Sequence, residues 1–301
     1  NAISACLVGS EMCIRDRAAI TGDQCDAESM FALKRLFDKL GSGNIDCRQD
    51  GAAIGGPRAG YLFNSTIAGI DEADALLIIG SNPRIEAAVL NARIRRNWLA
   101  TRLPIGVVGP KMDLTYDVET LGDDPAILAD ILSGKAKFAA RLKRAKKPMI
   151  IIGMGALARP DGAAILGKAR EIADSCGVVT GDWNGFNVLH TAAARVAGLD
   201  LGLTPGRGQL DVAGMYKAAE AGKLDVVWLQ AADEIDADRL TNAFVIYQGH
   251  HGDRGAHLAD VILPGAAYTE KDGIYVNTCL LYTSDAADEG LGVDLGGRRI
   301  I

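Results

Sequence analysis

The sequence predicts an α/β protein built from two doubly wound, mostly parallel-sheet lobes, and three observations carry that prediction. The first is Asp74 to Arg96, DALLIIGSNPRIEAAVLNARIRR, which holds a complete strand, turn and helix. The second is the same grammar at Met149 to Cys176, where an apolar run meets Gly153-Met154-Gly155 and then a helical period. The third is the alternation of short apolar runs with helical stretches along the chain, the mark of βαβ units.

Asp26 to Leu40 reads as a helix, with Met30, Phe31, Leu33, Leu36, Phe37 and Leu40 as its apolar stripe and Gly41-Ser42-Gly43 as its stop. Asn44 to Gly60 is Gly-rich and irregular. Ala75 to Ile79 is a strand buried on both faces. After it Gly80 turns the chain, Ser81 or Asn82 can cap a helix, and Pro83 suits a first turn. Helical spacing from Glu86 puts Val89, Leu90 and Ile94 on one face and Arg93, Arg95 and Arg96 mostly in solvent. Pro104 to Val108 is the next buried strand, and Asp123-Asp124-Pro125 starts a helix ending near Gly134. Arg141 to Lys147, RLKRAKK, reads as a solvated helix end and linker. Met149 to Ile152 is a strand, Asp161 to Cys176 a helix and Val178 to Thr180 a strand. Leu224–Leu229, Phe244–Tyr247, Asp260–Leu263 and Ile274–Asn277 complete the strands, with Glu270 to Gly273 as a charged turn. The lobes are expected at 18–147 and 148–278, meeting near Lys147-Pro148.

A chain of 301 residues suffices for two domains of common size, and a net charge of -6 with scattered basic residues argues against nucleic-acid binding. No apolar stretch is long enough to span a bilayer, so direct membrane insertion is not expected. The first residues lack a basic start followed by an apolar core, so no signal peptide is expected. CLVGSEMCIRDR at Cys6 to Arg17 and CLLYTSDAADE at Cys279 to Glu289 resemble translated sequencing-adaptor text, so 1–17 and 279–301 are expected to be artefactual. Cys25, Cys47 and Cys176 then remain. They lack cluster or zinc spacing, so no metal site is expected and buried, reduced thiols are the default.

Gly153-Met154-Gly155-Ala156-Leu157-Ala158 matches G-x-G-x-x-A after a strand, and Asp182 stands near the spacing of a ribose-binding acid. Arg159-Pro160-Asp161 interrupts the helix that such a motif needs. Together with Gly80, Ser81 and Asn82, the residues Gly153, Gly155 and Asp182 form the candidate cofactor-binding pocket. The loops Gly80–Pro83 and Gly153–Ala158 are expected to face each other across a cleft between the lobes, with Asp182 and Asn184 near its floor. Arg84, Trp183 or Phe186 are expected to fill part of it. His250, His251, Asp253 and His257 read as a solvated strand-to-helix loop rather than metal ligands. Ser65 and Ser175 lack a nucleophile elbow, and no residue is expected to be catalytic.

HLADVILPGAAYTEKDGIYVNT at His257 to Thr278 resembles the L-A-D-V-x-L-P … E-K-D-G-x-x-x-N-T segment of the molybdopterin oxidoreductases, and GSNPRIEAAVLNARIRR resembles their G-x-N-P … P-V-L-x-x-R-I-R segment. DWNGFNVLHTAAARVAGLDLG, NIDCRQDGAA and GDQCDAESMFALK are similar to one branch of that family, the G-type subunits of the proton-pumping NADH-quinone oxidoreductases, respiratory complex I. The resemblance implies a vestigial pocket without molybdenum cofactor, iron–sulfur clusters only in the parent's preceding part, and other peripheral-arm subunits as partners. It also implies a peripheral position on the cytoplasmic face of the bacterial inner membrane, or the matrix side in mitochondria. The alternative is a piece of an active molybdenum enzyme such as a formate dehydrogenase. Such enzymes place a thiol or selenol after an arginine in this region, whereas Arg48 is followed here by Gln49, Asp50 and Gly51, and Cys47 precedes it. Asp50 is the one residue that keeps this alternative open.

Overall fold

A computed structural model describes residues 17–252, 254–278 and 280–284, and the chain divides into two compact units. The first unit starts with β1 (Arg17–Thr21), α1 (Ala27–Leu40) and β2 (Ile45–Asp46). The chain then builds the whole second unit: α2 (Thr66–Gly69), β3 (Ala75–Ile79), α3 (Pro83–Glu86), α4 (Ala88–Thr101), β4 (Ile105–Val108), β5 (Glu119–Gly122), α5 (Ile127–Leu132), α6 (Lys137–Arg144), β6 (Pro148–Gly153), α7 (Met154–Leu157), α8 (Gly162–Ser175) and β7 (Phe186–Leu189). It returns to complete the first with α9 (Arg195–Asp200), α10 (Val212–Glu220), β8 (Val226–Gln230), β9 (Phe244–Gly249), α11 (Arg254–Leu258) and β10 (Val261–Pro264). A two-stranded sheet of β11 (Gly273–Asn277) and β12 (Leu280–Ser284) follows.

Each unit holds one five-stranded, all-parallel sheet, ordered β10-β9-β8-β1-β2 in the first and β5-β4-β3-β6-β7 in the second. The expected boundary at Lys147-Pro148 is therefore corrected. Residues 148–152 pair in parallel with Ala75 to Ile79 at the centre of one sheet, and the units part at 49/50 and 192/193 instead. Asp74 reinforces this join, since its carboxylate accepts from the backbone N–H groups of Lys146 and Lys147 at 2.7 and 2.8 Å and so aligns the starts of β3 and β6.

Every residue of β3 and β6 is buried, as parallel strands covered on both faces require. Leu76, Ile78, Leu90, Ile94, Ile105, Val107, Met149 and Ile151 lie in one core of the second unit. In the first unit Ile20, Met215, Val227, Leu229, Val245 and Tyr247 form another. Three local readings change. In α1 only Met30, Leu33 and Phe37 are buried, because the sheet covers a narrower stripe than the sequence offers, and Phe31, Leu36 and Leu40 stay in solvent. Val89 is 78% exposed, since in α4 it stands about 100° round the helix from Leu90 and so off the buried face that Leu90 and Ile94 share. Val178 to Thr180 forms no strand but an isolated antiparallel bridge, Val179 to Asn184, and the strand that joins the sheet is β7.

The two ends also differ from expectation. Arg17 belongs to β1, and residues 280–284 form a strand beside β11, so strand structure reaches past Thr278. Residues 1–16 and 285–301 lie outside the described residues. RLKRAKK supplies the end of α6 and the link to β6, as expected of a helix end and linker.

The charged turn at Glu270 to Gly273 ties down α1. Asp26 caps that helix by accepting from the Ser29 N–H at 2.7 Å and its hydroxyl at 2.8 Å, while Lys271 pairs with the same carboxylate. Burial opposes the Asp26 charge, but Lys271 and the Ser29 donors together hold its carboxyl below the ordinary aspartate range. A depressed folded-state pKa means stability that is present above the unfolded value, about 3.9, and lost as pH falls through the folded one. Asp26→Ala is expected to cost ~2 kcal/mol at pH 7 by urea unfolding, a cap plus a partly buried ion pair. That cost should shrink steadily below pH ~4, where the native carboxyl also takes up its proton.

Candidate functional site

In the second unit the strand order reverses between β3 and β6, and the carboxyl ends flanking such a reversal are where doubly wound sheets bind ligands. Gly80, Ser81 and Asn82 follow β3, while Gly153 ends β6 and Gly155 lies in α7. The structure thus brings five of the six candidate residues to one sheet edge. They face each other as neighbours within one unit rather than across a cleft between lobes.

Asp182 does not join them. It is exposed and precedes β7 at the amino-end edge, beside Trp183, whose indole N–H donates to the Pro148 carbonyl at 2.8 Å. The sequence spacing misled because the strand it was counted from does not exist. Asn184 lies in the same turn and donates nothing to the pocket; its Oδ1 accepts from the Phe186 N–H.

Glycine is required at this edge for loop-to-loop packing. A Cβ on Gly80 would stand 2.4 Å from the Ala156 Cβ, on Gly153 2.5 Å from the Ser81 Cβ, and on Gly155 2.7 Å from the Gly80 carbonyl oxygen. Gly80 also has φ 57°, the left-handed region. The crevice that remains, bordered by Ile79, Gly80, Val108, Gly109, Ala156 and Arg159, encloses ≈ 80 Å³. That is room for a few waters, far below the roughly 300–1,000 Å³ of small-molecule sites.

The anion position is filled from within the chain. Glu86 accepts from the Ser81 hydroxyl at 2.7 Å and from the Asn82 N–H at 2.9 Å, taking the donors that a phosphate would use. Arg84, Trp183 and Phe186 do not perform this task. Arg84 pairs with Asp113 on the surface, Trp183 is at the other edge, and Phe186 is buried within β7.

The first unit has its own reversal, between β1 and β8. Gly22 and Ala231 close it: a Cβ on Gly22 would stand 1.7 Å from the Ala231 carbonyl oxygen, and Ala231 itself has φ 47°. Beside this contact lies a pocket of ≈ 300 Å³ lined by Asp23, Gln24, Asp233, Glu234, His250 and His251. Asp23 pairs at 3.2 Å with Arg195, which is 2% exposed. Glu234 accepts from the Gln49 amide at 2.5 Å, and Asp233 accepts from the Tyr247 hydroxyl and the Gly255 N–H. Burial first, then His251 and Lys271, hold the His250 imidazole below its ordinary range against Asp233 and Glu270.

His250 and His251 thus occupy the expected strand-to-helix loop, with His257 in α11, while Asp253 lies outside the described residues. Among the described residues no group of three or more His, Cys, Asp or Glu could hold a metal ion. The acidic pocket was missed in the sequence because β1 borders the suspect terminus. Its signal is Thr21-Gly22-Asp23 directly after the apolar run Ala18 to Ile20.

Three carboxylates at one edge and Glu86 on the other make both reversals poor places for a pyrophosphate. The position after Arg48 offers no soft ligand either. Asp50 accepts from the Ala52 N–H in a turn, and Cys47 is 3% exposed against Gly198, with burial pushing its thiol up to about 12. The residues present do not fit a pterin dinucleotide with its metal.

Gly80→Ala should lower stability by ~2–4 kcal/mol through the Ala156 clash and the left-handed backbone. Gly134→Ala, at φ 79° with nothing within 4 Å of the new Cβ, should cost only ~1 kcal/mol. Parallel urea titrations check the difference, and equal costs would show that the loops do not need this contact.

Comparison with known proteins supports the fold. Residues 11–284 match the family model described as molybdopterin oxidoreductase. The chain is 48% identical over 261 residues to the mitochondrial NADH dehydrogenase (ubiquinone) iron-sulfur protein 1 of Solanum tuberosum, covering 86% of this chain and 34% of that one. It is 43% identical over 260 residues to the G-type subunit of the NADH-quinone oxidoreductase of Rickettsia bellii, covering 86% and 37%. The chain therefore spans about a third of the length of these relatives. In fold it is similar to acetylene hydratase of Pelobacter acetylenicus, with TM-score 0.65 at 11% identity over 95% of this chain and 54% of that one. It is also similar to the formyltransferase/hydrolase complex of Methylorubrum extorquens, with TM-score 0.61 at 19% identity over 96% and 91%. With the family model matched across most of its length, this chain belongs to the molybdopterin oxidoreductase family.

Proposed function

We propose that this chain is a largely structural portion of the G-type subunit in the peripheral arm of an NADH-quinone oxidoreductase, with no redox chemistry of its own. The observation that carries the reading is the 43 to 48% identity to such subunits over 86% of the chain. The closed switch points support it, because a carrier domain that has lost its cofactor is stable only if the freed backbone donors find other partners. Glu86 supplies that partner at Ser81 and Asn82. Electrons from NADH towards quinone then pass through iron–sulfur clusters in the remainder of the parent protein and not through these residues. Its partners are the neighbouring peripheral-arm subunits, on the cytoplasmic or matrix side of the membrane. No described helix is long and apolar enough to cross a bilayer. The reading as part of an active formate dehydrogenase is set aside on the donor set after Arg48.

The test is to replace the corresponding segment of a bacterial G-type subunit with residues 17–278 and assay the membranes. An assembled complex with NADH-quinone activity within a few-fold of the parent is expected. The purified chain should carry neither molybdenum, iron nor pterin after anaerobic preparation. Stoichiometric metal, or a chimaera that never enters the complex although it folds, would overturn the proposal.

The cysteines offer a second check. Burial raises both the Cys25 and Cys47 thiols to about 12. Both should resist alkylation by iodoacetamide at pH 8 in the folded chain and react at once in urea.

A further inference from the structure

The 30 residues from Ile131 to Pro160 contain no Asp or Glu, although the whole chain carries a net charge of -6. Helix α6 lies inside that stretch. It turns Phe138, Ala139 and Leu142 to the core, with Phe138 against Gly106 of β4. Its other face presents Lys137, Arg141 and Arg144 at helical spacing, with Lys143 alongside and Lys135 and Lys146 at the ends. Arg141 leans toward Glu119 at 3.5 Å. Lys135, Lys137, Lys143, Arg144 and the Lys146 ammonium have no acidic partner within 4 Å among the described residues.

Elsewhere in this unit several cations find carboxylates, although Arg95 turns to the Thr115 carbonyl and Arg102 to the Trp98 ring. Arg84 pairs with Asp113, Arg93 and Arg96 share Asp71, Lys147 meets Glu72, and Lys168 meets Glu171.

Helix physics does not account for the pattern. Cations in the last turn suit the negative end of the dipole, which covers Arg141, Lys143 and Arg144. Lys135 and Lys137 stand at the opposite, positive end, where a cation is unfavourable, and Lys137 and Arg141 form a like-charged pair four residues apart. The cations at the amino-terminal end therefore lower the stability of the helix they flank. Beside it, a groove of ≈ 280 Å³ runs along β5, the edge strand of the sheet, lined by Glu119, Leu121, Ile127, Asp130, Lys135 and Lys137.

We propose that the outer face of α6 is a docking surface for an acidic surface of a neighbouring protein chain. That chain places carboxylates over Lys137, Arg141 and Arg144 and one apolar side chain in the groove against Leu121 and Ile127. The proposal rests on the reading of this chain as part of a multisubunit assembly.

The test uses the parent protein within its assembled complex. Zero-length carbodiimide coupling should join Lys137, Lys143 or Lys146 to Asp or Glu of another chain. Acetylation of these lysines should be at least about tenfold slower in the complex than in the isolated parent, the protection expected when an interface excludes reagent. The variant K137E/R141E/K143E/R144E should keep the melting temperature of the isolated parent within a few degrees, yet leave the complex at a salt concentration that the unmodified protein tolerates. Equal acetylation in both states, crosslinks confined to this one protein, or binding of the face to phosphatidylglycerol vesicles in place of a protein would overturn it while leaving the assembly reading intact. Absence of other subunits from the purified parent would overturn the assembly reading and this proposal together.

Discussion

The structure depends on two contacts in which a glycine at the end of one central strand meets an alanine beyond its neighbour. Gly80 with Ala156 does this in the second unit, and Gly22 with Ala231 in the first. Each lies where the strand order reverses, the one place in a doubly wound sheet where connecting helices diverge and leave a crevice. A crevice that held a ligand would keep its loops apart. Here the backbones touch, so the strands β3 and β6 can run fully buried into loops that complete their own packing. The close approach explains the glycines without a ligand, and it makes the G-x-G spacing of Gly153 and Gly155 a packing device.

Charge follows the same logic. Carboxyl edges of parallel sheets collect backbone donors and helix starts, which favour anions. In this chain the anions are its own side chains. Glu86 accepts from Ser81 and Asn82, while Asp23, Asp233 and Glu234 gather at the first unit's edge. An internal carboxylate satisfies such donors at no cost in association entropy.

The nested connectivity has its own energetic consequence. β1 pairs with β8 across more than 200 residues of sequence, because the second unit is built between β2 and α9. Closing so long a loop is slow, since its entropy is lost before the pairing rewards it. The second unit draws on 50 to 192 and, from the rest of the chain, only on 278–280, so its sheet forms without that handicap. Asp74, which aligns the starts of β3 and β6, and Asp26, which joins α1 to Lys271, fix distant segments by single carboxylates where helices and strands alone would leave their ends free.

Sequence alone determined the α/β class, the buried strands at 75–79 and 149–152, the helix that stops at Gly41, and the family, because each rests on neighbouring residues whose periodicity or order is visible without the fold. It also placed Gly80, Ser81, Asn82, Gly153 and Gly155 together at a sheet edge, since parallel crossovers of one hand put such loops on the same side. Tertiary structure decided the rest. Which strands pair decided that 147/148 lies inside a sheet. How much of a helix the sheet covers decided that Phe31 and Val89 stay in solvent. The direction of β7 carried Asp182 to the opposite edge, and the fold of one turn, Pro83 to Glu86, brought a carboxylate onto donors that the sequence had assigned to a cofactor. Those outcomes depend on distances between segments far apart in the chain, which local pattern does not encode.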